Sequence, residues 1–174
     1  IKKIILNFIL VFFINSTSYA NNITDFQIEG MSIGDSLLEY ATKDEIEQYK
    51  KFYPNSKKWS RYSDRNENFQ TYEGFQVHFK NNDPKYTIQA VQGMTLFENN
   101  IEECYSLKRE IVKELSNTFV NLRKDSWKKK HIADKSGKST TDNTAFESKE
   151  GWKVVVTCSD WGKDMKFTDK FTIV

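Results

Sequence analysis

The tetrapeptide Ser136-Gly137-Lys138-Ser139 has the residue types that end a phosphate-binding loop, in which backbone amides and a lysine hold oxyanions. The full pattern needs another glycine five residues before Gly137, and Ile132 stands there. Thr140-Thr141-Asp142-Asn143 follows and is a poor helix start, so no helix N-terminus would receive a phosphate. The segment reads as a polar glycine turn. Gly30-Met31-Ser32-Ile33-Gly34 spells the letters of a nucleophile elbow, but it precedes short helices instead of leaving a core strand.

Two histidines offer acid–base or metal chemistry. His78 lies between Gln76 and Lys80 on the polar side of an alternating segment and is predicted to face solvent. His131 follows Lys128-Lys129-Lys130, where positive charge disfavours the imidazolium. Neither has a Cys, His or carboxylate at ligand spacing, so no metal site and no cofactor are expected. A Ser–His–Asp triad or a carboxylate pair assembled by distant residues is invisible to spacing, and no catalytic residue can be assigned.

The densest surface feature is the run from Arg123 to Lys130. Arg123, Lys124, Lys128, Lys129 and Lys130 supply charge for an anionic lipid or an acidic partner, with Trp127 as an apolar anchor. The plainer reading is the solvated end of a helix, where cations suit the negative end of the dipole. Trp59, Trp127 and Trp161 are candidates for an aromatic ligand surface, whereas Trp152 is expected in the core.

The elements that must position these groups read as α+β. Thr24 to Glu29 is predicted as a short strand. Asp35 is predicted to cap a short helix carrying Leu37, Leu38 and Tyr40. Thr42 and Glu45 form a capping-box pattern for a second helix with Ile46, Tyr49 and Phe52 on one face, stopped before Pro54. Phe69, Thr71, Phe75, Val77 and Phe79 alternate, as do Tyr86, Ile88, Ala90, Met94 and Leu96, with a turn at 81–84 between them. Ile101, Cys104, Leu107, Ile111, Leu115, Phe119 and Leu122 trace one stripe of a long helix capped by Asn100. After a charged loop, segments 144–147 and 152–160 form a hairpin around 148–151, and Met165, Phe167, Phe171 and Ile173 mark a last strand. The simplest architecture is a twisted antiparallel sheet with the long helix packed on one face and two short N-terminal helices.

Residues 1–20 have the order of a cleavable signal peptide: Lys2 and Lys3, an apolar run from Ile4 to Ile14, and Ser18-Tyr19-Ala20 with small residues before a cut after Ala20. The apolar run is about half of the roughly 20 residues a membrane-spanning helix needs. Residues 21–174 are then one globular domain, periplasmic or secreted, with no later transmembrane segment. The formal charge of +2 comes from Lys2 and Lys3, and residues 21–174 balance 24 cations with 24 carboxylates. Net neutrality gives no general pull on phosphates, so nucleic acid is not an expected partner.

Cys104 and Cys158 are the two cysteines. Cys104 lies on the long helix's apolar stripe, and Cys158 shares a strand face with Trp152, Val154 and Val156. In an oxidising compartment they are predicted to form a structural disulfide across the helix–sheet interface. Nothing resembles a Cys-x-x-Cys redox motif.

Four segments together resemble a family of small exported proteins without assigned function from free-living marine alphaproteobacteria. They are residues 28–38 (beginning Ile28-Glu29-Gly30), 98–104 (ending Glu103-Cys104), 134–139 and Cys158-Ser159-Asp160-Trp161. The resemblance implies export and a paired-cysteine pattern, and it carries over no catalytic residue. The expected function is a non-enzymatic exported binding or interaction module for an envelope protein or small ligand. The alternative is a small periplasmic hydrolase using a spatially assembled carboxylate pair or triad. Two converging carboxylates of raised pKa in a cleft would favour that alternative.

Overall fold

The computed structural model describes residues 26–53, 55–64, 71–98 and 100–174. The expected signal peptide lies outside the described residues, as do Thr24 and Phe69. Ile28 and Met31 exchange backbone hydrogen bonds around Glu29 (φ 51°) and Gly30 (φ 80°), a tight two-residue turn where a strand was expected. Two positive φ angles reverse the chain there, and the Glu29 carboxylate receives the amides of Thr71 and Tyr72, both at 2.9 Å.

The first expected helix is a single 3-10 turn, Leu37–Glu39, capped by Ser36. Asp35 instead accepts the Ser32 amide and the Tyr40 hydroxyl. Helix α1, Lys43–Tyr49, starts at the expected Thr42–Glu45 capping box. It ends earlier than predicted because Lys50 is extended, and Phe52 belongs to strand β1, Lys51–Tyr53, with its ring 56 % exposed.

Seven further strands follow: β2 Ser56–Asp64, β3 Gly74–Lys80, β4 Ala90–Phe97, β5 Arg123–Lys130, β6 Thr140–Glu147, β7 Lys153–Asp160 and β8 Asp169–Ile173. They form one antiparallel sheet in the order β1-β2-β3-β4-β8-β7-β6-β5. The last strand sits mid-sheet, joining the first four strands to the β5–β7 meander. Helix α2, Ile101–Thr118, runs over β4, β8 and β7, while α1 and the N-terminal segment cover β2 and β3. Fold class and the long helix's placement are therefore as expected.

Register assigns each strand residue to a face. Phe75, Val77, Val91, Phe171, Val156 and Cys158 point to the helices and are buried. Cys104 and Cys158, both fully buried, form the expected disulfide with Cα atoms 6.0 Å apart. The second predicted alternation fails: Tyr86 has φ 48° and the chain is irregular up to Ala90, so Val91 and Gly93, not Ala90 and Met94, face the core. Gly93 is needed there, since a Cβ would stand 2.7 Å from the Tyr72 ring. Met165 falls in a 3-10 turn, and Phe167 and Trp152 are exposed (59 and 42 %), correcting the reading that put Trp152 in the core.

Candidate functional site

The run Arg123–Lys130 is neither a loop nor a helix end; it is β5, an edge strand exposed at every residue. Alternation divides its cations between two faces. On the helix side, Lys124 donates to Ser116 of α2 at 2.9 Å, Lys128 to the Tyr105 hydroxyl at 3.4 Å, and Lys130 lies over Gly137. On the other side, Arg123 pairs with Glu147, and Trp127 and Lys129 face outward. The six residues therefore form no single patch, and three of them tie the edge strand to the helix or loop beside it. Lysines along such an edge also discourage pairing with a second copy.

The sheet face turned away from both helices has a character of its own. Its cations are Lys51, Lys57, Arg61 and Lys80 on β1–β3, and Lys170, Lys153, Lys129 and Arg123 on β8–β5. Its carboxylates are Asp125 and Glu147, the latter paired with Arg123 and with Lys153 at 3.0 Å. Eight cations thus meet two carboxylates among the described strand residues of this face. The balancing acids lie on the other side, including Asp44, Glu45 and Glu47 on α1 and Glu102, Glu103 and Glu110 on α2. Net neutrality conceals a segregated charge.

Between the cations the face carries short hydrogen-bonding side chains. Asn143 donates to the carbonyl of Trp127 and receives Thr157 at 3.0 Å, with Thr172 next in the same row. Eight strands spaced by about 4.8 Å give a face roughly 34 Å wide. Trp127 stands at one margin and Trp59 near the other, six strand spacings apart, so these two do not converge.

At the β1–β3 margin the side chains are built into one another. Tyr53 hydrogen-bonds through its hydroxyl to His78 Nδ1, and the Arg61 guanidinium carbon lies 6.0 Å from the Tyr53 ring centre. Lys51, Arg61 and His78 are successive cross-strand partners, and Trp59 pairs with Lys80 in the next row. Lys58 and Lys80 each hold an ammonium 5.8 Å from the Trp59 ring. His78 is half-buried, not solvated as predicted; burial first and then Arg61 push its pKa down. Burial pushes the Tyr53 pKa up.

Trp161 packs at a tilt against His131, ring centres 4.0 Å apart, and against Phe167 at 4.7 Å. Burial lowers the His131 pKa, with Lys170 assisting. In the neighbouring loop the buried Asp134 carboxylate accepts the amides of Ser136 and Ser139 and the Ser139 hydroxyl, at 2.7–2.8 Å. The hydrogen bonds to Ser136 and Ser139 hold its pKa far below the usual carboxylate range. Lys138 pairs with Asp164. The Ser136 and Ser139 amides of this loop thus serve an internal anion, the Asp134 carboxylate.

Asp160 is the one described carboxylate whose pKa is raised, by burial first and then by Asp169, with Lys128 opposing. Asp169 accepts the Trp161 amide at 2.8 Å. A small cleft of about 130 Å³ lies elsewhere, between Phe26, Ile33, Val91, Trp152 and Val174, and no Asp or Glu lines it. Among the described residues no helix is long and apolar enough to cross a membrane. Comparison with known protein families, curated proteins and solved structures finds no match for this chain.

Proposed function

We propose that the domain is a non-enzymatic, exported binding module that lays an acidic polysaccharide across its open sheet face. The observation that carries this reading is the segregation of eight cations and two carboxylates among the described strand residues of this face, beside an imidazole, indoles, hydroxyls and amides. Such a face attracts a polyanion at long range, and its exposed lysines and half-buried Arg61 and His78 are the groups that could bond it at short range. An anionic membrane is a poorer fit. Among the described residues, Trp127 is the one exposed large apolar side chain on this face, so little of it would enter a bilayer. Export rests on the signal-like N-terminus and agrees with the Cys104–Cys158 disulfide. The hydrolase alternative draws on Asp160 beside Asp169; the cleft by Trp152 lies away from that pair.

Affinity electrophoresis of the purified protein through gels containing polygalacturonate, neutral dextran or double-stranded DNA tests the reading. Retardation by polygalacturonate, weakened by added salt, with none by dextran, is expected. No retardation at low salt overturns the proposal, and stronger binding to DNA replaces its ligand class with nucleic acid.

A further inference from the structure

The margin of the open face formed by β1–β3 differs from the rest in being assembled around a guanidinium that has no ion pair among the described residues. Arg123, at the far margin, is neutralised by Glu147. Arg61 has no ion pair with any described carboxylate, and its described contact is the Tyr53 ring. It is half-buried, as are Tyr53, Trp59 and His78. A cation held partly out of water beside donors instead of acids is the environment in which an added oxyanion gains most.

The histidine sharpens the pattern. Tyr53 O–H is a stronger acid than a neutral imidazole N–H, so the phenol donates and His78 Nδ1 accepts. The ring proton then resides on Nε2, which is left to donate away from Tyr53. The lowered pKa of His78 agrees with a neutral ring. Arg61 and His78 are direct cross-strand partners, so their Cβ atoms stand about 5 Å apart and both side chains leave on the same face, where one carboxylate could meet both. Lys51 flanks Arg61 on the outer side, and Lys80 lies one row further along β3 beside Trp59.

We propose that Tyr53, Trp59, Arg61, His78 and Lys80 form a subsite for one uronic acid residue of an acidic glycan. This rests on the polysaccharide-binding reading of the face and names the sugar class it selects. The planar Arg61 fork takes both carboxylate oxygens, as guanidinium geometry favours. The His78 Nε2–H donates to the same group. Trp59 offers an aromatic side chain to the apolar C–H face of the pyranose, and Lys80 accompanies the ring toward the neighbouring residue's charge. Tyr53 is a positioning residue, since it fixes the His78 tautomer and backs the guanidinium.

Calorimetric titration with trigalacturonate, a sulfated trisaccharide and long polygalacturonate tests the subsite, using the wild type, Arg61→Gln, Tyr53→Phe and, at the far margin of the same face, Lys129→Gln. The expected result is that Arg61→Gln weakens trigalacturonate at least about tenfold, since a hydrogen bond to a charged group is at stake. Lys129→Gln should change it less than about twofold, because that side chain lies at the opposite edge. Tyr53→Phe should weaken trigalacturonate and leave polymer binding in place. Equal losses from Arg61→Gln and Lys129→Gln, with the polymer still bound, overturn the subsite and leave the face. Equal or tighter binding of the sulfated sugar overturns the uronate assignment. Failure of the wild type to bind the polymer overturns the parent reading. If Arg61→Gln does not fold, the exposed double variant Lys51→Gln/Lys80→Gln replaces it, with the same loss expected and the same equality decisive.

Discussion

Breaking the Cys104–Cys158 bond in the folded protein should lower its stability by about 4 kcal/mol. The bond closes a loop of sequence separation 54, and the chain-entropy relation turns that span into about 4 kcal/mol at 25 °C. With a urea m-value of about 2 kcal/mol per molar, the unfolding midpoint should fall by about 2 M. In thermal unfolding the same change should lower Tm by roughly 8–16 °C for a chain of this size. Reduction is a cleaner perturbation than substitution, because both sulfurs are fully buried and replacing them with alanine would add cavities costing about 1 kcal/mol each. The assay is urea unfolding followed by tryptophan fluorescence and far-ultraviolet circular dichroism, with and without reductant, thiols being counted in each sample. A reduced protein whose midpoint shifts by less than about 0.5 M would show that the helix–sheet interface does not depend on the link. Two titratable thiols in the untreated protein would refute the pairing itself.

Two other perturbations read the packing and the loop. Gly93→Ala should destabilise by about 1–3 kcal/mol in denaturant unfolding, because its Cβ would stand 2.7 Å from Tyr72, and adding Tyr72→Ala should show coupling between the two changes. Asp134 has a folded pKa below its unfolded value, so its contribution is complete above about pH 4 and fades as pH falls through the folded value. Asp134→Asn should therefore lower Tm at pH 6 and flatten the loss of Tm on acidification, and an unchanged acid profile would count against the loop's internal anion.

The parts of the fold legible in the sequence are those where one residue row meets one environment. The α2 stripe carries Cys104 at helical spacing, and Val154, Val156 and Cys158 alternate toward it, so the disulfide could be placed before any contact was known. The Thr42–Glu45 box is local chemistry and formed as written. Strands β2 and β5 were hidden because their sequences, SKKWSRYSD and RKDSWKKK, lack an apolar face. An edge strand such as β5 needs none, and its partner β6 supplies the pairing from ten or more residues away. The β4 face was misread because the irregular turn after Tyr86 shifts the alternation by one residue, and periodicity has no memory across such a break. The same limit applies to exposed Phe52, Trp152 and Phe167, large apolar side chains set on apolar faces by helical spacing or strand alternation in segments whose ends fall elsewhere.

The candidate site was less legible than the fold. Six residues of β5 were singled out as a cluster, yet their side chains leave on alternating faces. The face that emerges instead draws cations from β1, β2, β3, β5, β7 and β8, and becomes visible only when the final strand is set between β4 and β7. Its one local signal was the alternation Trp59, Arg61 opposite His78, Lys80, which depends on knowing that β2 pairs with β3.

The most direct measurement is a residue-by-residue nuclear magnetic resonance titration of the isotope-labelled protein with oligogalacturonate. Shifts should concentrate on the open face, at the indole and amide signals of Trp59, Arg61, His78, Asn143, Thr157 and Trp127, while α2 stays unmoved. Shifts centred instead on Asp160, Asp169 and the start of α2, with the open face silent, would contradict binding through the sheet and favour the carboxylate pair.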